Sequence, residues 1–242
     1  EAENEIEVML NDVTTETNFP IFDEYIKQNY MDNLLRGGYP LILKGEKQNH
    51  VYHLFSRRHG DLERDYNFFS LAPEFYSQGN GNFRDVCQNR RNEIFMNPLI
   101  EDFNMKMFVS FIQADGYNPL SINGSTFEIE DKEYARKLVK ELFGDDEELY
   151  HIISNHFTPG SIINTIANKK LKIDLTDDEL FERIFKHAKQ NYEAHFAEGY
   201  WIDHWTYILD LVENYQAVYP DRMQNKLFLD KEFMYFDSPI YI

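Results

Sequence analysis

Between about residues 98 and 220 the sequence is divided by helix start and stop signals, and this punctuation restricts the fold more than any other feature. Residues 99–113 are largely apolar and predict a helix. Asp131 to Phe143 carries Tyr134, Leu138 and Leu142 on one stripe and stops at Gly144. Thr158-Pro159 has the form of a cap and first turn for a helix reaching about Asn168. Thr176 to Glu179 forms a capping box, and Leu180, Ile184, Ala188 and Tyr192 follow at helical spacing. A last helix over 201–219 would end at Pro220 and bury Trp205, Ile208, Val212 and Tyr215. Amphipathic helices joined by short loops bury their stripes against one another, in a bundle or a toroid. The expectation is a mainly α chain of helical hairpins, followed by an aromatic, extended tail over 226–242.

The first half reads differently. Residues 1–16 are acidic and weakly periodic, fitting either a strand or the end of a helix. Asn18, Pro20 and the Gly37-Gly38 stop predict a helix over 20–35, with Phe22, Ile26, Tyr30 and Leu34 on one face. Residues 41–43 and 51–55 flank a polar turn and predict a small β-hairpin. Residues 56–98 are polar, Asn- and Gly-rich and without clean period, which reads as a long irregular functional surface. There is no internal repeat and no Gly/Ser linker, so 1–242 is read as one domain or a fragment of one.

Charge narrows the partners. With 24 basic and 42 acidic side chains the formal net charge is −18, which disfavours nucleic acid and anionic membranes. A single cysteine, Cys87, excludes an internal disulfide and a multi-cysteine zinc site. The chain has no run of apolar residues long enough to span a bilayer. It starts with four acids in seven residues and without Met, which points to a cytoplasmic segment of a longer chain.

The arginines are not spread as the acids are. Six of the ten lie between 57 and 91: Arg57, Arg58, Arg64, Arg84, Arg90 and Arg91. Forked guanidinium groups suit carboxylates, phosphate or sugar hydroxyls, and equally suit internal pairs that tie loops together. Around them stand Asp61, Glu63 and Asp65, which could share acid–base work. Gln78, Asn80, Asn82, Gln88 and Asn89 add amide donors and acceptors, and Gly79 and Gly81 permit close approach by a ligand. A third segment, His195 to Trp205, holds both tryptophans together with Glu198, Asp203 and His204. A carboxylate buried among aromatic rings has the raised pKa of a general acid. Amides, acids and aromatics in loops between helices resemble a sugar-binding surface. Neither His50-x-x-His53 nor the His195–His204 group has recognised metal spacing, and no metal or organic cofactor is expected.

The strings RRHGDLERDYNFFSLAPEFYSQGNGNFRDVCQNRRN (57–92) and EGYWIDHWTYILDLVENYQAVYPD (198–221) resemble large bacterial proteins of the cellobiose-phosphorylase-like group. The resemblance covers roughly 18–242. It implies an (α/α)6 toroid-like domain and cleavage of a glycosidic bond of an oligosaccharide, with inorganic phosphate as a possible co-substrate. It also implies that this chain is a slice whose partner is the remainder of a longer parent. The Gly-Asp-Trp-Asn-Asp string that carries the acid in such phosphorylases is absent, and Gly199 to Asp203 is its nearest echo. An inverting hydrolase would instead need a second carboxylate about 6.5–9.5 Å from the acid. Asp203 or Glu198 is the expected proton donor, and Asp65 and Asp85 the expected base or sugar-binding acids. Arg64, Arg84, Arg90 and Arg91 would orient substrate or phosphate. Asn67, Gln78, Asn80, Asn82 and Gln88 would meet hydroxyls, and Trp201 and Trp205 would stack on rings. A non-catalytic glycan-binding or assembly module and a helical protein-interaction scaffold are the alternatives.

Overall fold

The computed structural model describes residues 2–54, 73–195 and 204–237. Helix α1 (Ala2–Leu10) and helix α2 (Pro20–Gly37) precede a hairpin of β1 (Tyr39–Leu43) and β2 (His50–Leu54). The short strand β3 (Gly81–Asn82) leads directly into α3 (Phe83–Arg90), then α4 (Glu93–Met96) and α5 (Phe103–Ser110). Strand β4 (Ser121–Glu128) is followed by α6 (Lys132–Phe143), α7 (Glu147–Ile153), α8 (Pro159–Lys169) and α9 (Asp177–Phe185). Strand β5 (Lys189–His195), α10 (His204–Val218) and α11 (Pro220–Phe228) complete the order. The chain is mainly helical with small antiparallel sheets.

The caps expected at Thr158 and Thr176 form, whereas Asn18 does not cap α2: Phe19 holds the N-cap position, no side chain caps it, and Pro20 opens the first turn. Thr158 accepts from the Ser161 N–H, and Ser161 Oγ accepts from the Thr158 N–H, both at 3.0 Å. Thr176 and Glu179 exchange the same pair of bonds. Asp131 accepts from the Glu133 and Tyr134 N–H groups. Each cap satisfies backbone donors that the first helical turn leaves open. The hairpin also forms as expected, with Tyr39 opposite Leu54 and Leu43 opposite His50.

Five further expectations are corrected. The helix foreseen to continue through Ala188 and Tyr192 ends at Phe185, and Lys189–His195 pairs as a strand with β4. The ladder of backbone bonds to β4 outweighs the helical spacing. The apolar run over 99–113 is split, because Glu101 adopts a left-handed backbone (φ 50°) between a 3-10 turn and α5. The stretch read as irregular contains α3 and α4, and the tail read as extended begins with α11. Trp205 is not on the buried side of α10; it is 41% exposed.

β4 is the spine of the molecule, in a sheet ordered β3-β4-β5. Its end residues belong to two separate cores. Phe127 packs with Tyr52, Leu149, Ile162, Phe181 and Phe185, joining the hairpin to α6–α9. Ile122 packs with Phe83, Phe108, Ile208 and Tyr215, joining α3, α5, α10 and α11. Between Ile122 and Ser125 the register with β5 shifts at a bulge. There the Gln78 amide lies where a Gly124 side chain would be, 2.2 Å from an ideal Cβ, so a larger residue at 124 would push that amide off its bonds to Ser125.

Candidate functional site

The sequence-nominated residues that are described fall into three groups that do not converge. Gln78 is clamped to the Ser125 backbone, donating to its carbonyl (2.6 Å) and accepting from its N–H (2.8 Å). Asp85, in the first turn of α3, is buried; Asn82 donates to it at 3.4 Å and Arg84 lies 3.4 Å away. Asn80 keeps its side-chain oxygen buried without a hydrogen bond, and Gln88 is exposed.

Arg90 points the other way. It is buried and donates to the Gly37 carbonyl at 2.6 Å. Burial brings its pKa down to about 10, so it stays cationic at neutral pH. Glu93 is the charge opposite it, accepting from Asn104 (2.7 Å) and lying 2.9 Å from the His53 ring nitrogen. Burial, and then the Arg90 charge, hold His53 below its ordinary pKa. Arg91 pairs with Asp210 at 2.6 Å and lies over the Tyr207 ring. These arginines make the internal pairs that the sequence left open as the other reading, here tying α3 to α2 and α10. Cys87 is buried and its thiol is pushed up by burial, the opposite of an activated nucleophile. Asp61, Glu63, Arg64, Asp65, Asn67, Glu198, Trp201 and Asp203 lie outside the described residues.

A cavity of about 690 Å³ lies elsewhere among the described residues. Four distant segments wall it: the hairpin turn 46–50, residues 99–111 including α5, residues 186–192 leading into β5, and the tail at Glu232 and Phe236. On one side His187 Nδ1 is 3.1 Å from Glu46, and the Tyr134 ring stands edge-on to the imidazole at 4.7 Å. On the other, Lys106 donates to Gln48 at 3.0 Å and pairs with Glu232. Phe103 and Tyr192 meet edge to face at 5.7 Å, and Tyr192 is 37% exposed. The Phe236 N–H bonds the Ile112 carbonyl at 2.9 Å, which fixes the tail against α5.

Behind the wall residue Asp102, Lys226 lies 2.6 Å from its carboxylate and also pairs with Asp230. Burial alone would lower the Lys226 pKa; its two carboxylate partners outweigh that and raise it. Lys226 in turn holds Asp230 below the usual carboxylate range. Asp102, Asp230 and Glu232 have the ligand-type atoms for a cation, but the two ammonium groups already serve as their counter-ions.

Sequence reasoning missed this site. The only hint is the polar turn Gly45 to Asn49, read there as a turn alone. The arrangement offers aromatic edges, amide groups and carboxylates paired with lysines, which is what binding a polyhydroxylated ligand requires. Asp23, Glu130, Asp146, Glu179 and Asp230 are held below the usual carboxylate range by their hydrogen-bond and lysine partners, the opposite of a proton donor. No family model, curated protein or solved structure matches the chain.

Proposed function

We propose that this chain is the sugar-binding part of a carbohydrate-active protein, with the 690 Å³ cavity as its binding site. The observation that carries the reading is the cavity wall, where Tyr192 and Phe103 offer ring surfaces beside Gln48 and the Lys-pinned carboxylates. Sugars present apolar C–H faces and dense hydroxyls, and these two kinds of surface match them. The volume is within the usual range of about 300–1,000 Å³ for small-ligand sites.

The proposal includes phosphorolysis or hydrolysis by the longer parent, with the proton supplied by Asp203 or Glu198. Asp85, buried against Asn82 and Arg84, does not line this cavity and takes no part in this reading. It also includes the (α/α)6 toroid, since helices packed in sequence such as α6–α7 and α10–α11 are the unit from which a toroid is built. The glycan-binding module without turnover is the second reading, favoured by the pairing of the cavity carboxylates Glu46, Asp102 and Glu232 with His187, Lys226 and Lys106.

Calorimetric titration of the chain with glucose disaccharides, with and without phosphate, tests the binding. Saturable heat is expected, weakened about 2–10-fold in Tyr192→Ala by loss of roughly 0.5–1.5 kcal/mol of ring contact. No heat at millimolar sugar, or identical binding by the variant, overturns the site.

A further inference from the structure

A second cavity of about 510 Å³ adjoins the first. The two share Gln48, Glu101, Asp102 and Glu232 in their walls. The second continues along α11, past Arg222 and Asn225. The boundary between them is the hub where Lys226 meets Asp102, Asp230 and Glu232 and where Lys106 meets Glu232. Arg222 and Glu101 pair at 3.0 Å on the far side, and the guanidinium lies over the Tyr219 ring.

We infer that the two cavities form one groove and that its ligand is an oligosaccharide longer than a disaccharide, crossing the Lys226 hub. This rests on the carbohydrate reading of the first cavity. Each cavity alone is large enough for a small ligand, so a ligand filling both is a chain of repeated units. The hub suits a neutral polyol at the crossing. Its carboxylates are strong acceptors for hydroxyls, and its ammonium groups already balance most of their charge. A neutral ligand adds no charge that the hub would have to compensate, whereas an anionic chain would meet four carboxylates (Glu101, Asp102, Asp230, Glu232).

The test is titration of the full chain with glucose oligomers of two to six units, in α- and β-linked series. Affinity in one series is expected to rise at least about tenfold from the dimer to the longest oligomer, then level off. Asn225→Trp, on the exposed face of α11, blocks only the second cavity. In that variant the dimer binds as before and the gain with length disappears. If the dimer binds and longer oligomers bind no tighter, the groove is refuted and the sugar site stands. A length gain that survives Asn225→Trp also refutes it. If no oligomer of any length binds, the carbohydrate reading itself fails.

Discussion

Replacing Glu93 by Gln tests whether the arginine island is structural. Glu93 is the carboxylate opposite the buried Arg90, and it also accepts from Asn104 at 2.7 Å and faces His53 at 2.9 Å. The amide keeps one acceptor oxygen and the shape but removes the charge. Arg90 then keeps its bond to Gly37 and loses its counter-charge in a buried setting. Breaking a buried pair from one side costs about 3–5 kcal/mol. Against a total stability of about 5–15 kcal/mol, that is a large fraction. At roughly 2–4 °C per kcal/mol for a chain of this size, the midpoint should fall by about 6–20 °C. The assay is urea and thermal unfolding followed by circular dichroism. A double-mutant cycle with Arg90→Met should show a coupling of about 0.5–3 kcal/mol. A loss under about 1 kcal/mol for Glu93→Gln, with no coupling, would show that Arg90 does not depend on Glu93 and would leave it available to a ligand.

Three further outcomes are expected. Phe127→Ala removes a fully buried ring in contact with Phe185 at 4.6 Å and with Tyr52 and Phe157, and should cost about 3–5 kcal/mol in urea unfolding; under 2 kcal/mol would contradict the place given to it at the crossing of hairpin and helices. His50 and His53 are both held below their ordinary pKa, chiefly by burial, so the unfolded chain binds protons first as pH falls below about 6.5. Stability should therefore decline from that pH down towards the folded-state values, and urea midpoints at pH 7.5 and 5.5 check it; an equal or higher midpoint at pH 5.5 would sink the argument. Gly160→Ala would bring a Cβ to 2.0 Å from the Phe75 carbonyl oxygen, so hydrogen exchange should rise at residues 73–76, and unchanged protection there would show that the turn gives way freely.

What was legible in the sequence follows from the range of the forces involved. The caps at Asp131, Thr158 and Thr176 form from residues two or three positions apart, so a local pattern is enough to find them. The hairpin is set by one short polar turn. β4 was not legible: Ser-Ile-Asn-Gly-Ser-Thr-Phe-Glu has few strand formers, and its stability comes from β5 more than sixty residues later. The same dependence converted the Lys189–His195 segment from apparent helix to strand. The arginine clustering was legible, but its purpose was not. The residues that absorb Arg90 and Arg91 are Gly37, Glu93 and Asp210, and two of these lie far from the island in sequence.

The same logic explains why the proposed site was invisible while the arginine island was conspicuous. A concentration of chemistry within thirty-five residues attracts notice, yet here Gln78, Arg90 and Arg91 are held by Ser125, Gly37 and Asp210, far away in sequence, and Asp85 lies beside Asn82 and Arg84. The cavity is assembled from four segments far apart in sequence, and no segment alone looks special. Glu46 and His187 are separated by 141 residues and meet because the hairpin turn bonds the end of α9, through the Glu46 N–H to the Lys186 carbonyl at 2.8 Å. Asp102 and Glu232 approach because α11 carries Lys226 between them. The polar groups of the cavity are paired with one another as well, but they stand around an open volume of about 690 Å³, where carboxylate and amide oxygens can accept further hydrogen bonds. That is why the ligand is sought in the cavity and not at the arginines.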